Sequence, residues 1–179
     1  MKKAIILVGS ARNGNSLYLA QRIADNTKAD VVQIASKNIS MCTGCLECDE
    51  TKKCVFADDM VELISDIVKS NAVIIISPTR WGLMSGDVKL FIDRLNPIAT
   101  TEELVGKELI TVAIGQSEQG DSSIQHALDS LAFFGESAGM ELIGSFPIYE
   151  CLSNEDLVLN ASVADEVTGN IIKLLETEK

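Results

Sequence analysis

The chain has 179 residues, 46% hydrophobic and 23% charged, with 26 acidic side chains against 15 basic ones and a net charge of −11. Such a chain is long enough for one domain with a substantial core, its charge repels a nucleic-acid backbone, and no apolar run reaches the length of a membrane span. Five cysteines, in a chain whose Met1-Lys2-Lys3 start leads into an apolar stretch too short for a signal-peptide core, fit a cytoplasmic protein with reduced thiols.

Residues 4–8 form a continuous apolar run, the pattern of a strand buried on both faces. Gly9-Ser10-Ala11-Arg12-Asn13-Gly14-Asn15-Ser16 follows and opens a helix, gathering hydroxyl, amide and guanidinium groups where free backbone N–H groups point outward. The turn reads G-x4-G-N-S. It lacks the lysine of a nucleoside-triphosphate loop, and the dinucleotide pattern G-x-G-x-x-G is absent, so a single terminal phosphate is the predicted guest. A polar turn that only caps a helix is the structural alternative.

A second strand is predicted at residues 31–35, and the segment 37–57 after it is long for a connection in an alternating α/β chain, which suggests a functional insertion. It holds Cys42, Cys45, Cys48 and Cys54 at the spacing C-x2-C-x2-C-x5-C. Two-residue gaps let a loop wrap three thiolates around one face of an iron-sulfur cubane, with a fourth closing from farther along. Zinc, a redox disulfide and unligated thiols remain open at this stage. Asp58 and Asp59 read as N-terminal caps of a helix whose Met60, Leu63, Ile64, Ile67 and Val68 share one face.

The third strand, residues 73–77, runs into Ser77-Pro78-Thr79-Arg80-Trp81-Gly82, which carries the only tryptophan. Its place after the central strand, on the same sheet edge as the first turn, suggests an indole lying against a planar ring, with Arg80 putting positive charge nearby. A helix with Val88, Phe91, Ile92 and Leu95 on one stripe comes next, then a strand at 109–114 and a helix bearing Ile124, Ala127, Leu128 and Leu131. His126, the single histidine, reads as an ordinary member of that helix. A fifth strand is predicted at 142–146, Cys151 reads as a packed bystander, and the Ser153-Asn154-Glu155-Asp156 start leads one long closing helix from Leu157 to Leu175. The three prolines fall at predicted turns or strand ends. Five buried strands alternating with helices make an α/β three-layer sandwich with a parallel sheet, whose function sits in the loops after the strands.

Gly9-Ser10-Ala11-Arg12-Asn13-Gly14-Asn15-Ser16, the segment from Cys54 to Met60, and Ser77-Pro78 leading to Lys89-Leu90-Phe91-Ile92-Asp93-Arg94-Leu95 together resemble the NADPH-dependent FMN reductase family of flavodoxin-like proteins, and the cysteine spacing resembles its iron-sulfur flavoprotein branch. The resemblance is strong over about the first hundred residues. It implies a single flavodoxin-like domain over residues 1–179. It also implies FMN phosphate held at Ser10, Arg12, Asn15 and Ser16, with Asn13 counted in the same turn. The isoalloxazine falls at Pro78, Thr79, Arg80, Trp81 and Gly82, and a third contact at Gly115 and Gln116. It further implies a [4Fe-4S] cluster on Cys42, Cys45, Cys48 and Cys54, NAD(P)H as electron donor, and assembly as a homo-oligomer, a dimer or tetramer. Arg80 stands where family members often have tyrosine, and the third loop is less glycine-rich than theirs. Two activities follow. One is an oxidoreductase passing electrons from NAD(P)H or another donor to a flavin, quinone or cluster; the other is an electron carrier serving ferredoxin without oxidising NAD(P)H. A non-catalytic redox or zinc-sensing module is the alternative from a different class.

Overall fold

The computed structural model describes residues 1–27 and 29–177. Five strands, β1 (Ala4–Val8), β2 (Asp30–Gln33), β3 (Ala72–Pro78), β4 (Glu108–Ile114) and β5 (Glu141–Ile148), pair in parallel in the order β2-β1-β3-β4-β5. The order reverses between β1 and β3, and there the loops after the two strands part and leave a crevice.

Because side chains alternate across a strand, β1 feeds two cores. Ala4, Ile6 and Val8 meet α1 (Asn15–Thr27) and the closing helix, whereas Ile5 and Leu7 meet α3 (Met60–Val68) and α4 (Gly86–Asp93). The helix α6 (Ser122–Ser137) lies on the second face, with Leu131 in the core shared with α3 and α4 and Ile124, Ala127 and Leu128 against Ala113. The short helix α2 (Glu47–Thr51) lies within the cysteine segment and packs against the short helix α5 (Asn96–Ala99).

The central strands β1, β3 and β4 are buried on both sides as expected, but β2 and β5 are not. Both are sheet edges with only one neighbouring strand, so fewer elements cover them. For the same reason Pro147 is tolerated inside β5 rather than ending it, since an edge strand can spare an N–H. The closing helix is also divided. The segment α7 (Asp156–Leu159) stops at Asn160, whose φ of −113° and ψ of 67° leave the helical region, and α8 (Ala161–Glu176) then begins.

Gly9 ends β1 where no side chain fits: a Cβ there would stand 2.2 Å from Val88 Cγ2 and 2.8 Å from Ser85 Oγ. The closeness lets Ser85 Oγ donate to Gly9 O at 2.6 Å, fixing the start of α4 to the end of β1. Gly9→Ala is expected to lower stability by about 1–3 kcal/mol by overpacking a buried contact, read as a lower urea midpoint with unchanged slope.

Candidate functional site

The loops after four strands meet at one edge of the sheet and are stitched together by their backbones. Gly9 N donates to Ile76 O at 2.8 Å, Thr79 N to Ile114 O at 2.8 Å, Gly115 N to Ile148 O at 3.0 Å and Cys151 N to Gly115 O at 2.9 Å. They enclose a cleft of about 350 Å³ lined by Ser10, Arg12, Asn15, Ser16, Pro78, Thr79, Arg80, Trp81, Gly82, Gly115 and Gln116. Of the twelve side chains expected at a cofactor, these eleven are on its wall. Asn13 is exposed and is not part of the lining.

One end of the cleft is the start of α1. The helical hydrogen-bond ladder opens with Tyr18 N donating to Gly14 O at 2.9 Å, so the N–H groups of Asn15, Ser16 and Leu17 precede it. Partial positive charge concentrates there. Asn15 is committed to structure: its Nδ2 donates to Ser153 O at 2.7 Å and its Oδ1 accepts from Leu157 N at 3.0 Å, which holds the loop after β5 against this turn. Arg12 reaches the same loop, donating to Asn154 Oδ1 at 3.0 Å.

At the other end, Arg80 and Leu83 exchange backbone hydrogen bonds of 2.8 and 3.0 Å around Trp81 and Gly82. Positive φ at both central residues, 54° and 72°, gives the primed two-residue turn. The left-handed region is natural for Gly82 and costly for Trp81, on the order of 1–3 kcal/mol. The turn throws the indole outward, wholly exposed at the rim, against no protein surface. Arg80 is exposed too and donates to Thr79 O at 3.0 Å.

The wall that the sequence did not reveal is the segment 151–154 with Ser117 and Ser123. Cys151 is buried, as expected of a packed residue, but it also borders the cleft; burial, with some help from the Asp156 charge, pushes its thiol up to about 11. Ser153 and Asp156 make the anticipated helix-start pairing, Ser153 Oγ to Asp156 Oδ1 at 2.7 Å, and so shape the loop into a wall. His126 is exposed on α6 next to the Trp81–Gly82 turn.

The four cysteines of the insertion are free thiols, Cys42 and Cys45 exposed and Cys48 and Cys54 partly so. Left-handed backbone at Gly44, Leu46 and Lys52 turns the loop sharply around α2. Three of the four contact or border the elbow between α4 and α5: Cys42 shares a hollow with Ile92 and Leu95, Cys48 Sγ accepts from Asn96 Nδ2 at 3.7 Å, and Cys54 lies beside Arg94. Among the described residues no three Cys, His, Asp or Glu side chains converge into a metal-binding group.

The expected caps behave differently from each other. Asp58 does accept from Met60 N at 3.2 Å, but Asp59 turns away from the helix and accepts from Asn38 N at 2.8 Å. Asp58 has a larger task. It takes a two-pronged pair from Arg94 at 2.7 and 3.0 Å and a bond from Ser40 N at 2.9 Å. Burial works to raise its carboxyl, but the Arg94 hydrogen bond and those from Ser40 and Met60 outweigh it and hold the group at about 2, against an ordinary 3.8. A carboxyl depressed on folding stabilises above its unfolded value and ceases to do so as pH falls through the folded one. About 2 kcal/mol of stability is therefore expected to disappear between roughly pH 4 and pH 2. Urea midpoints across that window should fall less steeply in Asp58→Asn.

A doubly wound parallel sheet with a cleft at its strand-order reversal, a helix start at one end and a glycine turn at the other, defines an α/β protein of the flavodoxin-like fold. Residues 1–145 match the NADPH-dependent FMN reductase family, and the chain belongs to that family. An iron-sulfur flavoprotein of Methanocaldococcus jannaschii is 29% identical over 124 residues, 66% of this chain and 64% of that one. One of Archaeoglobus fulgidus is 35% identical over 127 residues, 65% of this chain and 58% of that one. The chain thus spans less than two thirds of the length of these two curated relatives. Among solved structures, the Trp repressor binding protein from Bacillus subtilis superposes with a TM-score of 0.70 at 17% identity, covering 99% of both chains. The general stress protein 14 of Treponema denticola, solved in complex with FMN, gives 0.69 at 10% identity over 97% of this chain and 99% of that one. At such identities these two show the fold.

The cleft fits FMN by its chemistry, with helix-start N–H groups and hydroxyls at one end for a phosphate and a glycine turn at the other that lets backbone approach a flat ring. For an iron-sulfur cluster the donor set fits, four free thiols on one loop, although the sulfurs would have to be drawn together.

Proposed function

We infer that this chain binds FMN in the cleft at the β1/β3 crevice and works as a flavoprotein oxidoreductase. It takes electrons from NAD(P)H or another small donor and delivers them to a flavin, quinone or iron-sulfur acceptor. The observation that carries this reading is the pairing of two unlike ends in one cleft, the N-terminus of α1 and the Trp81–Gly82 turn, in a chain of the FMN reductase family.

Bound FMN would supply the redox chemistry, a ring that accepts a hydride and can release electrons singly. The chain's part is positioning. Ser10, Ser16 and the first N–H groups of α1 would hold the phosphate, with the Arg12 guanidinium beside them, while Asn15 braces the loop after β5 with its amide. Pro78, Thr79, Arg80, Trp81, Gly82, Gly115 and Gln116 would contact the ring. The Arg80 charge favours an electron-rich ring by attraction. No side chain has to act as acid or base.

A second reading is supported by the names of the relatives and by the cysteine spacing: Cys42, Cys45, Cys48 and Cys54 bind a [4Fe-4S] cluster, and the protein is an electron carrier for a partner such as ferredoxin. In either reading it works in the cytoplasm as a dimer or tetramer. Protein isolated without oxygen should show a reducible flavin spectrum with FMN near one per chain, and iron and sulfide if the cluster is present. Folded protein that neither retains nor takes up FMN would overturn the oxidoreductase. A colourless chain carrying zinc would leave the sensing module in its place.

A further inference from the structure

Arg94 is the most deeply buried charged side chain described, at 1% exposure, and nothing in the cleft explains it. Every partner described for its side chain lies in the segment that brackets the cysteines. Nη1 donates to Ser40 O at 2.6 Å and to Asp58 Oδ2 at 2.7 Å, Nη2 donates to Asp58 Oδ1 at 3.0 Å, and the guanidinium stands 5.0 Å from the centre of the Phe56 ring. Residues 40 and 58 are the two ends of the cysteine loop, so one side chain ties its base shut. A salt bridge alone would not need this site, because burying an ion pair costs several kcal/mol in desolvation that an apolar pair avoids.

One nitrogen of the guanidinium is left over. Nε of Arg94 is buried and has no hydrogen-bond partner, which is rare for so polar a group. The Cys54 sulfur lies beside the same guanidinium. A thiol has little to offer an N–H donor. A thiolate, free or bound to metal, would be a far stronger acceptor for a guanidinium N–H beside it.

We propose that Arg94 is a positioning residue for a tetrathiolate metal group on the cysteine loop: it holds the loop ends together through Ser40 and Asp58 and supplies an N–H donor and a fixed positive charge to the Cys54 sulfur. This rests on the reading that the four cysteines bind metal. The group it serves is anionic, as an iron-sulfur cluster on four thiolates is. A donor aimed at a ligand sulfur stabilises the more negative, reduced form and so raises the midpoint potential.

The test uses the full-length chain, kept free of oxygen, in wild-type form and as Arg94→Lys, which keeps the charge but loses the planar fork and Nε. The metal-free, reduced proteins are titrated with Co(II), read by its thiolate absorption bands, and separate samples are reconstituted with iron and sulfide for redox titration. Wild-type protein is expected to bind one metal group per chain. Arg94→Lys should bind it about 10- to 100-fold more weakly, the usual loss for an outer-sphere partner of a metal ligand, and with a more negative midpoint. Combined with Cys54→Ser its effect should be non-additive, and with Cys42→Ser additive, a difference that general loosening of the fold would not produce. If Arg94→Lys does not fold, Arg94→Gln paired with Asp58→Asn removes both charges together and carries the same measurements. Wild-type protein that takes up neither Co(II) nor iron refutes the metal reading itself. Wild-type protein that binds, with a variant of equal affinity and equal midpoint, or with additivity at both cysteines, overturns the role of Arg94.

Discussion

Asp58→Ala should lower the folding free energy by about 3–5 kcal/mol, the cost of leaving a buried cation without its counter-ion. The side chains of Arg94 and Asp58 are 1% and 6% exposed, so water cannot take the lost partner's place. The same truncation also frees Ser40 N and Met60 N, both of which Asp58 accepts from. An equivalent change at the surface gives the scale: Asp165→Ala, which breaks the exposed pair with Arg22, should cost no more than about 1 kcal/mol. Urea unfolding of the two variants side by side separates them, with the midpoint falling far more for Asp58→Ala. Adding Arg94→Met to Asp58→Ala should recover much of the loss, because the charge that needed a partner is gone. If the double variant is less stable than Asp58→Ala by a further 2 kcal/mol or so, Arg94 contributes chiefly through packing on Phe56 and its bond to Ser40 O, not through charge.

Ser16→Asp should weaken FMN binding by on the order of 100- to 1000-fold. A carboxylate about 4 Å from a phosphate, at the screening typical near a protein surface, is repelled by about 4 kcal/mol per charge pair, which is enough for that range. A negative charge in the first turn favours the helix, but Ser16 is buried, so a comparison ligand and not helix propensity must separate a phosphate effect from a folding one. Riboflavin supplies the internal comparison. Lacking the phosphate, it should bind the wild type and Ser16→Asp with nearly equal, weaker affinity. Titration by quenching of flavin fluorescence measures all four combinations, and FMN affinity that is unchanged in Ser16→Asp would move the phosphate away from the start of α1.

Much of the architecture is legible in the sequence because a central parallel strand leaves an unambiguous trace. The runs at β1, β3 and β4 are apolar on both faces, and their loops carry glycine, serine and proline where turns must form. Edge status is not legible. Whether β2 or β5 gains a cover depends on which strands flank it, which only the sheet order decides. Likewise the periodic stripe from Leu157 to Leu175 does not disclose the break at Asn160.

At the cleft, two walls follow from local turn chemistry, and the wall at 151–154 does not. Ser153 and Asp156 read as a helix start, which they are, yet a doubly wound sheet brings every loop after a strand to one edge, and that rule could have drawn attention to the loop after β5. Asn15 illustrates the reverse. Its place in a phosphate-like turn suggested a ligand contact, and only the fold reveals that its amide is engaged by residues 153 and 157. Asp58 looked like a cap because a cap is local, whereas its strongest partner is 36 positions away.

The exposed tryptophan has a practical consequence. This chain contains one indole, and a left-handed turn suspends it in water at the mouth of the cleft with nothing from the protein touching it. Its ultraviolet emission is consequently a private signal, silent about the interior and responsive to whatever arrives at that lip, so occupancy of the mouth can be followed in real time without attaching a dye.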